Sequence, residues 1–421
     1  MMRETEHIRR GTREFRRANL GLFIAGFVTF STLYDFQPLL PVLAREFSVT
    51  PATGSLALSV ATFALAWTLP VSGTLSDTLG RRGMIGIAVV LSSLLALGTT
   101  VGGSLTSLLA LRLAQGVVLA GVPAVAMAYL SEEVEPRAVG AAMGLYIAGN
   151  AMGGMSGRII TSWLVEFLPW RGAIGLIGAF SLLLSLAFLS LLPPSRHFRR
   201  RPFRPGPLTA SLLGNLRDPG LLCLFTLAFT CMGGFVTLFN YVIFRLLAPP
   251  YSLSSSQVAW IFLAYAFGAF GSSFMGGLVD RAGRSKVLFT ALTVMATGAL
   301  ITLLHPLAGV IAGVVVFTVG FFGAHSVASA WVGARAGAAR AQASSLYLFF
   351  YYLGSSISGT GGGYVWSSFG WTGVALLILA LVGAAAIAAL RLSALTKPKI
   401  TMEESLDAVR SRSDCPGAAA D

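Results

Sequence analysis

The chain has 421 residues, 55% hydrophobic and only 11% charged, against roughly 25% charged in soluble proteins; a soluble fold is excluded and an integral membrane protein is implied. The net charge of +13 does not argue for nucleic acid, because the basic residues are scattered between apolar runs instead of gathered on one face. Cys223, Cys231 and Cys415 show neither metal-ligand spacing nor a paired framework, and no phosphate-cradling loop, zinc pattern or nucleophile elbow occurs. No cofactor, no metal site and no enzymatic chemistry are therefore expected.

In chain order, a polar, Arg-rich tail over 1–19 runs into an apolar stretch of more than 20 residues with no small-residue cleavage site, which reads as an uncleaved first span. At roughly 20 apolar residues per span, twelve spans are expected, near 20–43, 53–75, 83–102, 107–130, 138–162, 172–193, 220–246, 256–279, 286–304, 308–331, 341–364 and 370–393. The stretch 194–219, rich in Arg, Pro and Gly, divides them six and six. The expected fold is all-α: one six-helix bundle over 20–193, a linker over 194–219, a second bundle over 220–393 and a tail over 394–421. With the N-terminus inside, 25 of the 30 Lys and Arg fall in the tails, the linker, the loops and the span ends of the cytoplasmic side, so the positive-inside rule places both termini and the linker there.

One motif occurs twice. Gly73, Leu75, Asp77, Gly80 and Arg81 recur at a constant offset as Gly276, Leu278, Asp280, Gly283 and Arg284, half a chain later, and each copy joins two apolar runs. A recurrence of this kind means duplication. The pattern, with Arg82 following the first copy, resembles the loop 2–3 and loop 8–9 signature of the major facilitator superfamily of secondary transporters. Asp77 sits at a helix C-terminus, where its charge needs a partner. Arg81 is one candidate, and the start of span 11 near Ala341 is another. Asp280 with Arg284 would treat the start of span 5, Pro136 to Val139, in the same way, with Gly73, Gly80, Gly276 and Gly283 permitting close approach. The two copies read as cytoplasmic latches of an outward-open state.

Further resemblance lies in Arg112–Gly116, similar to the span 4 signature of proton-coupled members, and in Gly149–Gly154, similar to the span 5 signature of antiporters but with Asn150 where proline is usual. Gly149, Gly153, Gly154 and Gly157 also make a small-residue stripe suited to close helix packing. Phe30–Tyr34, Gln37-Pro38, Tyr129–Glu133, Gly153–Arg158, Phe321-Phe322, Ala324–Ser329 and Gln342–Tyr347 together resemble the YnfM-type branch of efflux permeases. The resemblance implies two bundles, each of 3+3 inverted repeats, with a small-molecule site near the midplane between them. It also implies a monomer.

Ionisable groups inside spans are costly and mark sites by default. Among the 17 acids only Asp35 lies well inside a span, at a depth similar to Arg112. The two are candidates for proton coupling, with a permanent structural ion pair as the bland alternative. Arg158 is a second partner for Asp35 or a snorkelling side chain. Gln37, Gln115, Asn150, Asn240, Tyr241, His325, Tyr347 and Tyr351 complete the candidate substrate set, each of which has interhelical packing as its alternative. The function expected is proton-coupled secondary transport, exporting small organic or amphipathic molecules by antiport. Uptake by symport is the alternative, and a lipid translocator or a transporter-like receptor the alternative class.

Overall fold

The computed structural model describes residues 7–198, 200 and 205–396. Most of the expected C-terminal tail, with Cys415, lies outside the described residues. The described chain is helical, with one isolated bridge between Ile8 and Val134. In order the helices are α1 (Arg13–Tyr34), α2 (Leu40–Glu46), α3 (Pro51–Leu79), α4 (Arg81–Gly98), α5 (Leu105–Leu119), α6 (Pro123–Glu133), α7 (Pro136–Phe167), α8 (Trp170–Leu191), α9 (Pro205–Arg217), α10 (Pro219–Leu247), α11 (Ser255–Ala259), α12 (Ala264–Ala282), α13 (Arg284–Ile301), α14 (Leu307–Ala336) and α15 (Arg340–Thr396).

Ten stretches among the described residues are long and apolar enough to cross a membrane. The last of them doubles back at Gly370, whose φ of 59° and ψ of −152° interrupt α15. The 32-residue α7, which carries Arg137, Arg158 and Glu166, is not among the ten. Counting α7 and both arms of α15 gives the expected twelve. Several spans are broken: α1 passes through a 3₁₀ turn at Gln37–Leu39 into α2, and α5 gives way to α6 at Pro123. The linker is also more ordered than its composition suggests, since it contains α9.

Helix ends follow local chemistry. Thr12, Thr50 and Asp218 cap α1, α3 and α10 through side-chain oxygens, and Pro51 and Pro219 occupy first-turn positions whose missing N–H costs nothing. Asp218 accepts from the Gly220 and Leu221 amides at 2.7 and 2.9 Å and from Arg335 Nε at 2.7 Å. Burial alone would raise this carboxyl, but the Arg335 and amide hydrogen bonds outweigh it and hold it below the ordinary range. A depressed folded-state value means that this stabilisation is present above the ordinary carboxylate range and is lost as pH falls through the folded value. Asp218→Ala is expected to cost about 1 kcal/mol near neutral pH, with the difference from wild type shrinking as thermal melts are repeated at progressively acidic pH.

Close packing inside the first half runs along the glycine stripe. A Cβ at Gly153 would collide with the Phe27 carbonyl of α1, and one at Gly149 or Gly157 would press on the Phe23 or Ser31 carbonyl. Gly154 instead faces Arg158 and Phe30. In α15, Gly354 lies against the Phe229 carbonyl of α10 in the matching way. Gly153→Leu is expected to lower stability by about 1–3 kcal/mol or more through overpacking, read as a fall in the melting temperature of detergent-solubilised protein, whereas Gly140→Leu, where a Cβ meets nothing, leaves it near wild type.

Candidate functional site

Pro38 sits in the first turn of the 3₁₀ segment and supplies no backbone N–H, so α1 stops at Tyr34, with Asp35 as its C-cap. A helix end inside a membrane leaves carbonyls that water cannot reach, and protein groups must answer them. Arg112 of α5 does so. Its Nη1 donates to the Thr32 carbonyl at 2.8 Å and to Gln115 Oε1 at 2.6 Å, its Nη2 to the Leu33 carbonyl at 2.7 Å, and its Nε to the Ala57 carbonyl of α3 at 2.8 Å. A cation at a helix C-terminus also meets the negative end of the dipole.

Asp35 and Arg112 are both fully buried, with Oδ1 3.6 Å from Nη1. That is an ion pair by distance and not a hydrogen bond. Neither Asp35 oxygen has a hydrogen-bond partner. Arg112 is thus held by carbonyls whatever Asp35 does. Gln115, placed in the substrate set from sequence, is committed to this scaffold: it accepts from Arg112 and donates to the Ser92 carbonyl at 3.1 Å.

Arg158, 2% exposed, is not a partner of Asp35 and does not snorkel. Its Nε donates to Gln37 Oε1 and its Nη1 to the Gly154 carbonyl at 2.7 Å. Its guanidinium carbon lies 3.9 Å from the Tyr34 ring centre, 4.8 Å from that of Tyr265 and 5.7 Å from that of Phe262. Gln37 in turn donates to Asn240 Oδ1 of α10 at 2.7 Å. The cage therefore draws on both halves, and Gln37 is its bridge.

The remaining candidates divide. Asn150 packs on Gly26 within the first half, and Tyr241 donates to the Gly359 carbonyl at 2.6 Å, deep between α10 and α15. Both positions are interhelical. His325 Nδ1 lies 3.0 Å from Tyr347 Oη, and with Tyr351 and Phe321 these residues line a narrow crevice in the second half. Sequence reading missed Tyr34, Phe262 and Tyr265, whose rings carry no polarity signal that separates a site from packing.

The repeated motif is alike in backbone and unlike in contacts. Gly80 and Gly283 end their helices at φ, ψ of 90°, 139° and 83°, 150°, a region that favours glycine. The expected close approach is not seen: a Cβ at Gly73 or Gly283 would meet nothing within 4 Å, and at Gly80 or Gly276 only an ordinary contact. Asp77 bridges Arg81 at 2.6 Å, and Arg81 also holds Glu132 at 2.7 Å, all inside the first half. Arg82 donates to the Leu189 carbonyl at 2.7 Å. The expected Asp280–Arg284 pair is absent among the described residues, because Arg284 lies over the Trp331 ring at 6.0 Å. Among the described residues Asp77 makes no ion pair or hydrogen bond to the start of α15, and Asp280 makes none to that of α7.

Polar ties between the halves among the described residues lie away from that end. Thr62 and Ser356 oxygens are 2.7 Å apart, Ser356 donates to the Ser59 carbonyl at 2.9 Å, and Glu166 accepts from the Ser256 amide at 2.8 Å. The halves are closed on the side opposite the chain's first helix start.

Comparison with known proteins now decides the family. The sequence pattern of the Major Facilitator Superfamily matches residues 21–245 and 231–412. The chain belongs to the major facilitator superfamily. It is similar to the uncharacterized MFS-type transporter YybF of Bacillus subtilis (strain 168), 50% identical over 88% of this chain and 92% of that protein. It is also similar to the inner membrane transport protein YnfM of Escherichia coli (strain K12), 46% identical over 92% and 93%. A bacterial homolog of the human lysosomal transporter Spinster shares the fold at a TM-score of 0.71, with 15% identity over 91% of this chain and 97% of that one. This facilitator is accordingly a multi-pass membrane transporter.

Closure on the far side makes a direct prediction. In a variant lacking Cys223, Cys231 and Cys415, the pair Thr62→Cys and Ser356→Cys is expected to cross-link under mild oxidation and to stop transport in vesicles, with reductant restoring it. A pair that never cross-links under any solute or gradient would show that this closed arrangement is not visited.

Proposed function

We propose that the protein is a proton-coupled secondary transporter that works by alternating access and exports small organic molecules by antiport, driven by the proton gradient without a cofactor. The observation that supports it is the fully buried Asp35 carboxyl with no hydrogen bond to either oxygen, beside an arginine already satisfied by carbonyls. A carboxylate here is an unsolvated charge that a proton cancels. Because Arg112 is anchored independently, the proton can come and go without dismantling the scaffold around it. Asp35 is the proton carrier in this reading, and Arg112 tunes it.

The bias of Lys and Arg supports a cytoplasmic location for both termini, and the likeness to an inner membrane transport protein supports a bacterial inner membrane. On that orientation the described state is closed to the outside, and the unpaired Asp280 and Arg284 belong to an opened cytoplasmic side, as expected of a latch that holds the opposite state. The chain acts as a monomer in this reading.

Uptake by symport is the second reading, favoured by Arg158: a cation without a carboxylate at the bridge between the halves suits an anion that travels with a proton. Proteoliposomes under an imposed pH gradient separate the two, since solute moving against the proton flow supports antiport and co-movement supports symport. Asp35→Asn is expected to abolish gradient-driven accumulation while exchange of solute across the membrane persists. Accumulation at the wild-type rate would remove Asp35 from the mechanism.

A further inference from the structure

Among the described residues the buried charges are compensated with one exception. Arg112 has Asp35 at 3.6 Å, Arg81 has Asp77 and Glu132, and Glu133 has His197 at 3.1 Å. Arg158 is equally buried and has no carboxylate within ion-pair reach among the described residues. Rings cover its faces: Tyr34 from the first half, and Tyr265 and Phe262 from the second. They offset part of the charge by cation–π attraction, and none of them is an anion.

Apart from the exposed Glu166, which accepts from the Ser256 amide at the end of α7, about two turns beyond Arg158, the inter-half space among the described residues does not supply one either. Residues 220–393 contain a single acid, Asp280, at the end of α12. In the first half Asp35 is turned to Arg112. The electrostatics of the space are therefore those of a cation among aromatic rings. Tyr265 adds a buried hydroxyl with no hydrogen-bond partner, on a ring whose centre is 4.8 Å from the Arg158 guanidinium. An arginine fork and a spare hydroxyl together match a carboxylate. Phe235 and Phe322 pack on the Tyr265 ring at 5.4 and 5.9 Å, which extends the apolar wall away from the charge.

Resting on the reading that this chain moves a small molecule by alternating access, we propose that its substrate is an organic anion with an aromatic body, the carboxylate held by Arg158 and Tyr265 and the body by the surrounding rings. Gln37 links that event to the halves, because its amide takes the Arg158 donor on one side and gives to Asn240 of α10 on the other. An anion that competes with Gln37 Oε1 for the guanidinium loosens the Gln37–Asn240 tie and so favours parting of the halves on the closed side. Organic cations are disfavoured as substrates of this site.

Three isosteric probes test the class: 2-naphthoate, neutral 2-naphthamide and cationic 2-naphthylmethylammonium, each titrated into purified wild-type protein in detergent by calorimetry. Loss of a charge-assisted bond is worth about tenfold or more in affinity, so 2-naphthoate is expected to bind at least about tenfold tighter than the other two. Arg158→Gln is expected to erase that preference, Arg158→Lys to keep part of it, and Tyr265→Phe to weaken 2-naphthoate alone.

Equal binding of the three probes, preference for the ammonium, no saturable 2-naphthoate binding, or unchanged 2-naphthoate affinity in Arg158→Gln would each overturn the proposal. If Arg158→Gln does not fold, the wild-type comparison and Arg158→Lys still decide. Failure here with an intact Asp35→Asn phenotype refutes the anion and spares proton coupling. Carboxylate preference with unimpaired uphill transport in Asp35→Asn does the reverse.

Discussion

Helix α1 stops in mid-span, and the backbone it leaves open must be answered inside the protein. Pro38 withholds a donor, the chain tightens into a 3₁₀ turn, and the Thr32 and Leu33 carbonyls are taken by Arg112. Three consequences follow from that one constraint. Arg112 is drawn from α5 into the core, where it also ties α3 through the Ala57 carbonyl. Asp35 is left at the break with a nearby charge and no hydrogen bond to its carboxyl oxygens. Gln37, within the tight turn, is turned toward Arg158 and Asn240, so the same break that builds the buried pair also builds the bridge between the halves.

The two halves have divided the chemistry. The charges buried in mid-span, Asp35, Arg112 and Arg158, all belong to the first half. The second half brings rings: Phe235 stacks on Phe321 at 3.9 Å and meets Tyr265 and Phe322, while Phe239 stacks on Phe262. Duplication supplied a common helix plan, visible in the matching backbone at Gly80 and Gly283. The side chains diverged. Asp77 and Arg81 pair while Asp280 and Arg284 do not, so the state described here is asymmetric at the repeated motif although the motif itself is nearly the same.

Much of the plan was legible because membrane burial writes itself into composition. Apolar run lengths carried the span count, the scarcity of intramembrane acids singled out Asp35, and depth along two helices brought Arg112 to it. What escaped was whatever depends on how a donor is spent. Nothing in the sequence says that Arg112 gives its hydrogen bonds to carbonyls and not to Asp35, or that Gln115 is used up holding Arg112. Motif glycines invited a close-contact reading, yet at Gly80 and Gly283 the requirement is a positive φ at a helix end, which only backbone geometry reveals. Tyr265 and Phe262 lay among many aromatic residues of similar spacing, and their relation to Arg158 arises only when the halves meet. In the structure the cation in the aromatic cage is the protein's own Arg158.

That last point bears on how closure is sustained. A buried charge left without compensation costs about 3–5 kcal/mol, and cation–π contacts in a desolvated site return roughly 2 kcal/mol. The balance is carried by hydrogen bonds to Gln37 and the Gly154 carbonyl, one of which depends on a residue that also grips the opposite half. Closure on this side and solvation of Arg158 are therefore linked: parting the halves breaks the Gln37–Asn240 bond and admits water to the guanidinium, while closing them strips water away and covers it with the Tyr265 and Phe262 rings. A ligand shifts such an equilibrium only by the difference in its affinity for the two arrangements. An anion at Arg158 has that difference built in, because it competes for the guanidinium with the Gln37 side chain that closure ties to Asn240. The proposed proton site sits two residues away on the same broken segment, at Asp35, so protonation and anion binding act on one short stretch of backbone from its two sides.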